Sequence, residues 1–446
     1  PSYSGDSNTV TLTPREGFDS NEFKTNSLGT LTDPPLLTPL LNVDDPLTVD
    51  VVERVIPNII QGTPVSFPIS TTDSANRTTW TVTGLPGGLS FEVGTGVISG
   101  TPDTPGIFNC PMSATFVDAH TATATLVLRV QAATANPIPA TTLPSRTIGT
   151  SSPLTFSLNG AFSDADSERA VRVQTTKGNI DILLYESLVP QGVANFLSYV
   201  NGDDYNGTAF HRALSNFILQ GGGFKPTTAP NIFTSTQRRA SPLNEPGISN
   251  LRGTVASAKV GNDPNSATHD FFFNQEDANA TNLDNQNAGF TVFGRIAGSG
   301  MTVVDQIIAL PQATYSVVVD GSTGSFANWP MDAVSAPATM DITKTVKITD
   351  ASEIPVLSYS VANNTAPAIA TAVVNGSDLQ LNGLSDGTTD ITVQAADLDG
   401  NTTTQTFTVT VQGGFVVPSI TTQPTSAAVV AGSTATLKVV AVGTNL

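Results

Sequence analysis

The strand pattern that begins near residue 136 breaks off before it can close a core. Leu154-Thr155-Phe156-Ser157-Leu158 alternates apolar and polar residues, Phe162-Ser163-Asp164-Ala165-Asp166 follows, and the pattern ends at Glu168. Residues 136–168 number 33, too few to bury a core of their own. Alternation of the same kind resumes after residue 355, in Leu357-Ser358-Tyr359-Ser360-Val361, Leu379-Gln380-Leu381, Asp390-Ile391-Thr392-Val393-Gln394-Ala395 and Thr406-Phe407-Thr408-Val409-Thr410-Val411. Segments 136–168 and 355–412 together make about 91 residues, near the roughly 100 of a two-sheet sandwich. The expectation is one sandwich split by a whole domain over 169–354, inserted in an exposed loop with its ends close together. Two small domains flanking the middle segment are the alternative.

With 446 residues, several domains in series are expected. Residues 1–47 are rich in Asn, Asp, Thr and Pro and read as an extended leader or the end of a preceding domain, with one alternating run, Thr9-Val10-Thr11-Leu12-Thr13. Residues 48–132 carry short alternating segments, such as Val65-Ser66-Phe67-Pro68-Ile69 and Thr123 to Val130, between Gly and Pro turns. There Gly84-Leu85-Pro86-Gly87-Gly88-Leu89-Ser90-Phe91 and Gly94-Thr95-Gly96-Val97-Ile98-Ser99-Gly100-Thr101-Pro102 resemble the immunoglobulin-like modules of bacterial surface proteins. Tight turns at Gly and Pro would leave Leu89, Phe91 and Ile98 facing inward. The split sandwich reads as cadherin-like or immunoglobulin-like. Residues 418–446, with Thr434 to Val442, read as the first strands of a further, incomplete sandwich. Unpaired apolar strands of that kind call for another chain, so self-assembly through the terminal strands is an expected partnership.

Charge narrows the partners. Nineteen Lys and Arg against 37 Asp and Glu give −18, which repels phosphate backbones and anionic head groups, so nucleic acid and membrane surfaces are excluded. No run of 18 apolar residues could span a bilayer. Only 13% of residues are charged, and the hydroxyl- and amide-rich remainder reads as an extracellular or cell-surface chain of bacterial type. The lone Cys110 forms no internal disulfide and reads as a small buried residue in a strand. The chain opens at Pro1 without a basic segment ahead of an apolar run, which reads as a mature product or a fragment.

Within 169–354 the periodicity changes. Val171-Arg172-Val173 and Ile180 to Tyr185 flank a turn at Lys177-Gly178, a hairpin. Pro190 opens a run in which Val193, Phe196, Leu197 and Val200 share one helical face, and a second helix is expected over Met301 to Ala309 on Val304, Ile307 and Ile308. Between them stand Phe210-His211-Arg212 to Phe217-Ile218-Leu219-Gln220-Gly221-Gly222, Asn244-Glu245, Leu251-Arg252-Gly253-Thr254-Val255-Ala256-Ser257-Ala258-Lys259, Asn265 to Phe273, Leu283-Asp284 and Phe290 to Ile296. This ordered series resembles the cyclophilin family of peptidyl-prolyl cis-trans isomerases.

The resemblance implies a mainly β, multidomain fold class: immunoglobulin-like β-sandwiches plus a cyclophilin-like closed β-barrel capped by two helices. It implies Arg212, Phe217 and Gln220 as catalytic residues. His211, Ile218, Ala258, Lys259, Asp270, Phe272, Asn282, Leu283 and Phe290 would bind the substrate, a proline-containing peptide or protein. From the residues alone, Arg212 and Gln220 are eight apart around a turn at Ser215-Asn216, so facing strands would aim both at one cleft. Four positions depart from the family pattern: Asp270 replaces a Gln, Asn282 an aromatic residue, Lys259 an Asn or Arg, and Phe290 a His or Tyr. An ionised Asp270 only accepts hydrogen bonds. The expected function is therefore an isomerase carried on an extracellular or surface protein. The alternative is a structural, adhesive or filament-forming protein whose cyclophilin-like unit is weakly active or only binds peptides.

No cofactor is expected, and no metal: three histidines, His120, His211 and His269, are dispersed, and no Cys-x-x-Cys occurs. Asp164 to Glu168 and Asp397-Leu398-Asp399-Gly400-Asn401 carry oxygens at alternate positions that Ca²⁺ accepts, although the second reads more simply as a turn. Sequons at Asn76, Asn206 and Asn375 are what an Asn- and Thr-rich chain holds by chance.

Overall fold

A computed structural model describes residues 58–69, 77–117, 119, 121–166, 168–414, 419–426 and 428–443, with the short strands Ser2–Ser4 and Thr11–Thr13, which pair antiparallel. The remainder of the leader read over 1–47, the sequon at Asn76, His120 and Ser167 lie outside the described residues. The chain divides into two compact units. One comprises Pro1–Val52, Ser70–Thr81 and Pro111–Thr125, and in it Trp80, Met112, Ala114 and Phe116 are buried.

In the other unit, Val65–Pro68, Leu89–Glu92 and Val97–Gly100 form an antiparallel sheet with the last strand central. Ile98 is fully buried, whereas Leu89 and Phe91 are half-buried. The turn before this sheet needs glycine: Gly88 has φ of 83°, and a Cβ there would overlap the Thr101 carbonyl oxygen. Cys110 is fully buried, with Sγ 3.3 Å from the Gly84 oxygen.

Strands from 138–163 and from 358–412 share sheets. Arg146–Gly149 runs parallel to Thr402–Gln412, with Arg146 opposite Val409, and Leu154–Ser157 runs antiparallel to Asp378–Gly383, with Leu154 opposite Leu381. Ile148 and Leu158 from the first segment are packed in one core with Leu379, Leu381, Ile391, Val393, Phe407 and Val409 from the second. Alternation puts these residues on the inner faces and the threonines outside.

Between the two segments lies a barrel. Its strands are β1 (Arg169–Thr175), β2 (Gly178–Leu184), β3 (Arg212–Ala213), β4 (Ile218–Gly221), β5 (Thr254–Ser257), β6 (Phe271–Asn274), β7 (Val292–Ala297) and β8 (Ile348–Ile354). The sheet order is β3-β4-β6-β5-β7-β2-β1-β8. Its two edges meet through the residues that precede them: Phe210 N–H donates to the Val346 oxygen (3.0 Å), Ile348 N–H to Thr208 (2.8 Å) and Gly207 N–H to Ile348 (2.8 Å). Two helices, α1 (Pro190–Val200) and α3 (Gly300–Ile308), bury Val193, Phe196, Leu197 and Val200, and Val304, Ile307 and Ile308, in the barrel core. Phe196 stacks on Phe293 of β7 at 4.7 Å. A short α2 (Asn279–Leu283) was not anticipated by the helical periodicity, being under two turns long.

A second, unanticipated sheet leans on the barrel. Phe224–Pro226, Ile232–Ser235, Gln312–Val319 and Ser322–Pro330 enclose Phe233, Tyr315, Val317, Trp329 and Met331. A hairpin signal does exist there, because Asp320-Gly321 sits between apolar runs and both residues adopt positive φ, 49° and 83°. The tail differs from expectation: Thr434 to Val442 is strand only at Val440–Val442, paired with Ser419–Thr422. Four residues of partner leave the rest of the run without a ladder, and Leu437 and Val439 are exposed.

Candidate active site

A tight turn builds the centre of the site. Leu214 N–H donates to the Ile218 oxygen (2.9 Å), Asn216 is left-handed (φ 58°), and β3 folds back on β4 with Arg212 directly opposite Gln220. The row continues across the sheet: Gln220 faces Phe272 on β6, and Phe272 faces Ala256 on β5. Facing residues of antiparallel strands project to the same side, so Arg212, Gln220 and Phe272 share one face of the barrel. Arg212 Nη1 lies 3.4 Å from Gln220 Oε1, and its guanidinium carbon lies 5.8 Å from the Phe217 ring centre. Partial burial lowers the Arg212 pKa, which still leaves the guanidinium charged at neutral pH.

Apolar residues border that row. Phe290 meets Phe272 edge-on at 5.5 Å, and Ile218 and Leu283 are buried in the same cluster, with Phe217 and Ala258 packed against it. Phe271 and Phe273 alternate to the opposite face, where Phe271 meets Phe196 at 5.6 Å. Phe217 is held from behind. Its carbonyl accepts from Gln275 N–H (2.8 Å) and Asn279 Nδ2 (2.6 Å), and the same Asn279 amide reaches Asn274 Oδ1 at 3.0 Å. Asn274 in turn donates to Thr254 Oγ1 at 2.9 Å and Asn250 Oδ1 at 3.2 Å. Asp284 accepts from Ser249 Oγ (2.5 Å) and Asn250 N–H (2.8 Å); burial pushes its carboxyl pKa up, and those hydrogen bonds resist. Sequence reasoning missed this lattice, whose only signal is the density of Asn between 244 and 287.

The other expected site residues are placed as follows. His211 is not open to the groove: it is buried with its ring 4.8 Å from Phe224 and 6.2 Å from Trp329 of the second sheet. Burial lowers its pKa below the ordinary 6.5. Lys259 turns onto the rim, where Nζ donates to the oxygens of Asn287 (2.8 Å) and Gly289 (2.5 Å) and lies 4.6 Å from the Phe290 ring centre. Asn282 is exposed on α2, one residue before buried Leu283. Asp270 lies two rows beyond Phe272, beside Ala258, whose N–H donates to the Asp270 backbone oxygen at 2.9 Å.

The two acidic clusters converge on an arginine. Arg295 Nη2 lies 2.9 Å from Asp166 Oδ2 and 2.7 Å from Asp399 Oδ2, while Asp399 Oδ1 accepts from Gly298 N–H at 3.0 Å. Asp397 accepts from Asn401 N–H (2.8 Å) and Nδ2 (2.9 Å). Oxygens read as calcium ligands at Asp166, Asp397 and Asp399 are thus taken by protein donors. Among the described residues, no group of three or more His, Cys, Asp and Glu gathers as a metal site.

Comparison with known proteins agrees with this geometry. A family model described as "Cyclophilin type peptidyl-prolyl cis-trans isomerase/CLD" matches residues 170–323, and one described as "Putative Ig domain" matches residues 49–131. A peptidyl-prolyl cis-trans isomerase of Acinetobacter baylyi is 43% identical over 147 residues, 33% of this chain and 76% of the relative. Peptidyl-prolyl cis-trans isomerase A of Dickeya dadantii is 33% identical over 177 residues, 40% of this chain and 84% of the relative. A crystal structure of a Cryptosporidium parvum cyclophilin aligns with a TM-score of 0.30 and 20% identity, covering 42% of this chain and 98% of its own. With its barrel, its Arg212–Gln220–Phe272 row and relatives matched over most of their length, this chain belongs to the cyclophilin-type peptidyl-prolyl cis-trans isomerase family.

Proposed function

We propose that the barrel isomerises Xaa-Pro bonds in secreted or cell-surface polypeptides, and that it is carried as a guest domain over 169–354 in a sandwich made of 136–168 and 355–412. The observation that carries the catalytic reading is Arg212 facing Gln220 across β3 and β4, next to the Phe272–Phe290 shelf. An Xaa-Pro bond crosses a barrier of about 18–20 kcal/mol because the proline nitrogen's lone pair is delocalised into the carbonyl. The proline ring rests on Phe217, Ile218, Phe272, Leu283 and Phe290. Gln220 holds the peptide backbone. Arg212 donates toward the proline nitrogen as it becomes pyramidal, an interaction the planar ground state lacks, so it lowers the barrier without tightening ground-state binding. No bond is broken and no nucleophile is needed. About 7 kcal/mol of such stabilisation is worth some five decades of rate.

A surface location is supported by the charge of −18, the hydroxyl-rich composition and the immunoglobulin-type match at 49–131. The test of activity is a protease-coupled or exchange-NMR assay on a proline tetrapeptide, comparing the intact chain with Arg212→Ala. A drop of about 10²–10³ in kcat/KM is expected; equal rates would remove Arg212 from the mechanism. The location is tested by protease shaving of intact cells, which should release the chain.

Assembly is a second role, supported by the exposed Ile420, Val440 and Val442 on the small strand pair of the tail. Deleting 418–446 should lower the oligomeric state in sedimentation; an unchanged state rejects strand donation.

A further inference from the structure

One position in the groove face carries a charge that no fixed cation answers. Gln220, Phe272 and Ala256 form one row, Gly221, Phe271 and Ser257 the next, and one step further Ala258 N–H donates to the Asp270 oxygen at 2.9 Å. Asp270 is two residues from Phe272 and therefore on the same face, about 7 Å along the strand. Its neighbour across that step, Ala258, is small. Gly223 lets the carboxylate lie flat, because a Cβ there would overlap Asp270 Oδ1. The Asp270 side chain is 25% exposed, and since Oδ1 is itself buried, the exposure falls on the rest of the group.

The cations that could neutralise it are committed elsewhere. Lys259 donates to the Asn287 and Gly289 oxygens, Arg212 reaches Gln220, and Arg239 pairs with Asp204 at 2.5 Å. Among the described residues no Lys or Arg is paired with Asp270; its titratable neighbours are two buried histidines, His269, whose Nδ1 lies 3.3 Å from Oδ1, and His211. The groove therefore has a guanidinium in one row and an accessible carboxylate in a row beyond the proline shelf.

Resting on the isomerase reading above, we infer that Asp270 is a specificity-determining residue that selects substrates bearing a Lys or Arg within two residues of the proline. An extended peptide advances about 3.3 Å per residue, so a side chain two positions from a proline seated on Phe272 reaches the Asp270 row. The ammonium or guanidinium gains a charged acceptor there, and a Glu at the same place meets a like charge in a chain already strongly acidic.

The experiment measures kcat/KM for the intact chain on peptides that carry Lys, Gln or Glu at each of the two positions before and after proline. At one of these positions Lys is expected to exceed Glu by about three- to ten-fold at low salt, as partly exposed ion pairs allow, and the ratio should shrink at 0.5 M salt. In Asp270→Asn the Lys-to-Glu ratio should fall toward one, and Asp270→Glu should restore it. A ratio near one at every position in the intact chain, or one that survives both salt and Asp270→Asn, overturns the inference. Should the intact chain catalyse none of the peptides, the isomerase reading fails by itself. Peptide titration by NMR then reads the same Lys-over-Glu order in binding, and its absence overturns the specificity role.

Discussion

Arg295→Gln should be far more damaging than the loss of a surface arginine. Its guanidinium is the counter-charge for two carboxylates separated in sequence from it by 129 and 104 residues. Both Oδ2 atoms lie within 2.9 Å of one nitrogen, and Asp166, Asp399 and Arg295 side chains are 7%, 23% and 22% exposed. The two oxygens are thus within about 6 Å of each other, where like charges repel by about 3 kcal/mol at an effective dielectric constant near 20. Removing one member of a buried ionic group costs about 3–5 kcal/mol, and partial exposure places Arg295→Gln near the low end. Urea unfolding followed through buried Trp329, in a Trp80→Phe background, measures it. Asp399→Asn alone should destabilise, but in the Arg295→Gln background it should be neutral or stabilising, a coupling of about 2 kcal/mol or more. The pH dependence should change sign too. Burial pushes Asp399 up, but its hydrogen bonds to Arg295 and Gly298 outweigh burial and hold its pKa below the ordinary value. In the intact chain this stabilisation is present above the unfolded value of about 3.9 and lost as pH falls through the folded value. Without Arg295, only the Gly298 N–H opposes burial and repulsion, and acidification from pH 7 to 5 should stabilise the variant. A loss under about 1 kcal/mol, or an Asp399→Asn cost equal in both backgrounds, would refute the reasoning.

Other outcomes follow from the same geometry. Asn279→Ala removes a donor from the Phe217 carbonyl and from Asn274 Oδ1; a cost of about 1–3 kcal/mol in urea unfolding and a fall in kcat/KM are expected, whereas Asn282→Ala, exposed on the same helix, should leave stability within about 0.5 kcal/mol. Burial pushes the Cys110 thiol up to about 11, so a thiol reagent at pH 8 should label it only after denaturant is added; labelling of the native chain at the rate of free cysteine would contradict its burial. Arg252 holds Asp305 below the usual carboxylate range, and Arg169 does the same for Glu353. Both contributions are present above the unfolded values, about 3.9 and 4.3, and are lost as pH falls through the folded ones, so NMR titration of either carboxyl should show a midpoint below its reference.

Short-range chemistry was readable in the chain, and long-range charge was not. The hairpin Arg169–Thr175 to Gly178–Leu184 and the helix Pro190–Val200 follow from alternation, a Lys-Gly turn and Pro at a first turn, because each depends on neighbours within a few residues. The facing of Arg212 and Gln220 follows from their even spacing about Asn216, which lies midway between them at the turn. The burial of His211 comes from Phe224, Phe326 and Trp329, which reach it only once the second sheet is folded against the barrel. Nothing local marks Arg295 as the partner of Asp166 and Asp399, since the pairing exists only once three segments are brought together. Thr434 to Val442 shows the converse: a good strand pattern stays mostly unpaired where only Ser419–Thr422 is available to bond it.

The parallel pairing of Arg146–Gly149 with Thr402–Gln412 also decides where mechanical load travels. Tension applied along the chain enters near Arg146 and leaves near Gln412, and these strands lie side by side pointing the same way. Pulling their outer ends apart loads the rungs from Arg146–Val409 to Gly149–Gln412 together, in shear, instead of peeling them one at a time. The barrel hangs between those two strands, with Ala170 and Ile354 opposite each other on β1 and β8 at its own entrance. So long as the clasp holds, the barrel stays off the load path, and its groove keeps its shape in a chain under stretch.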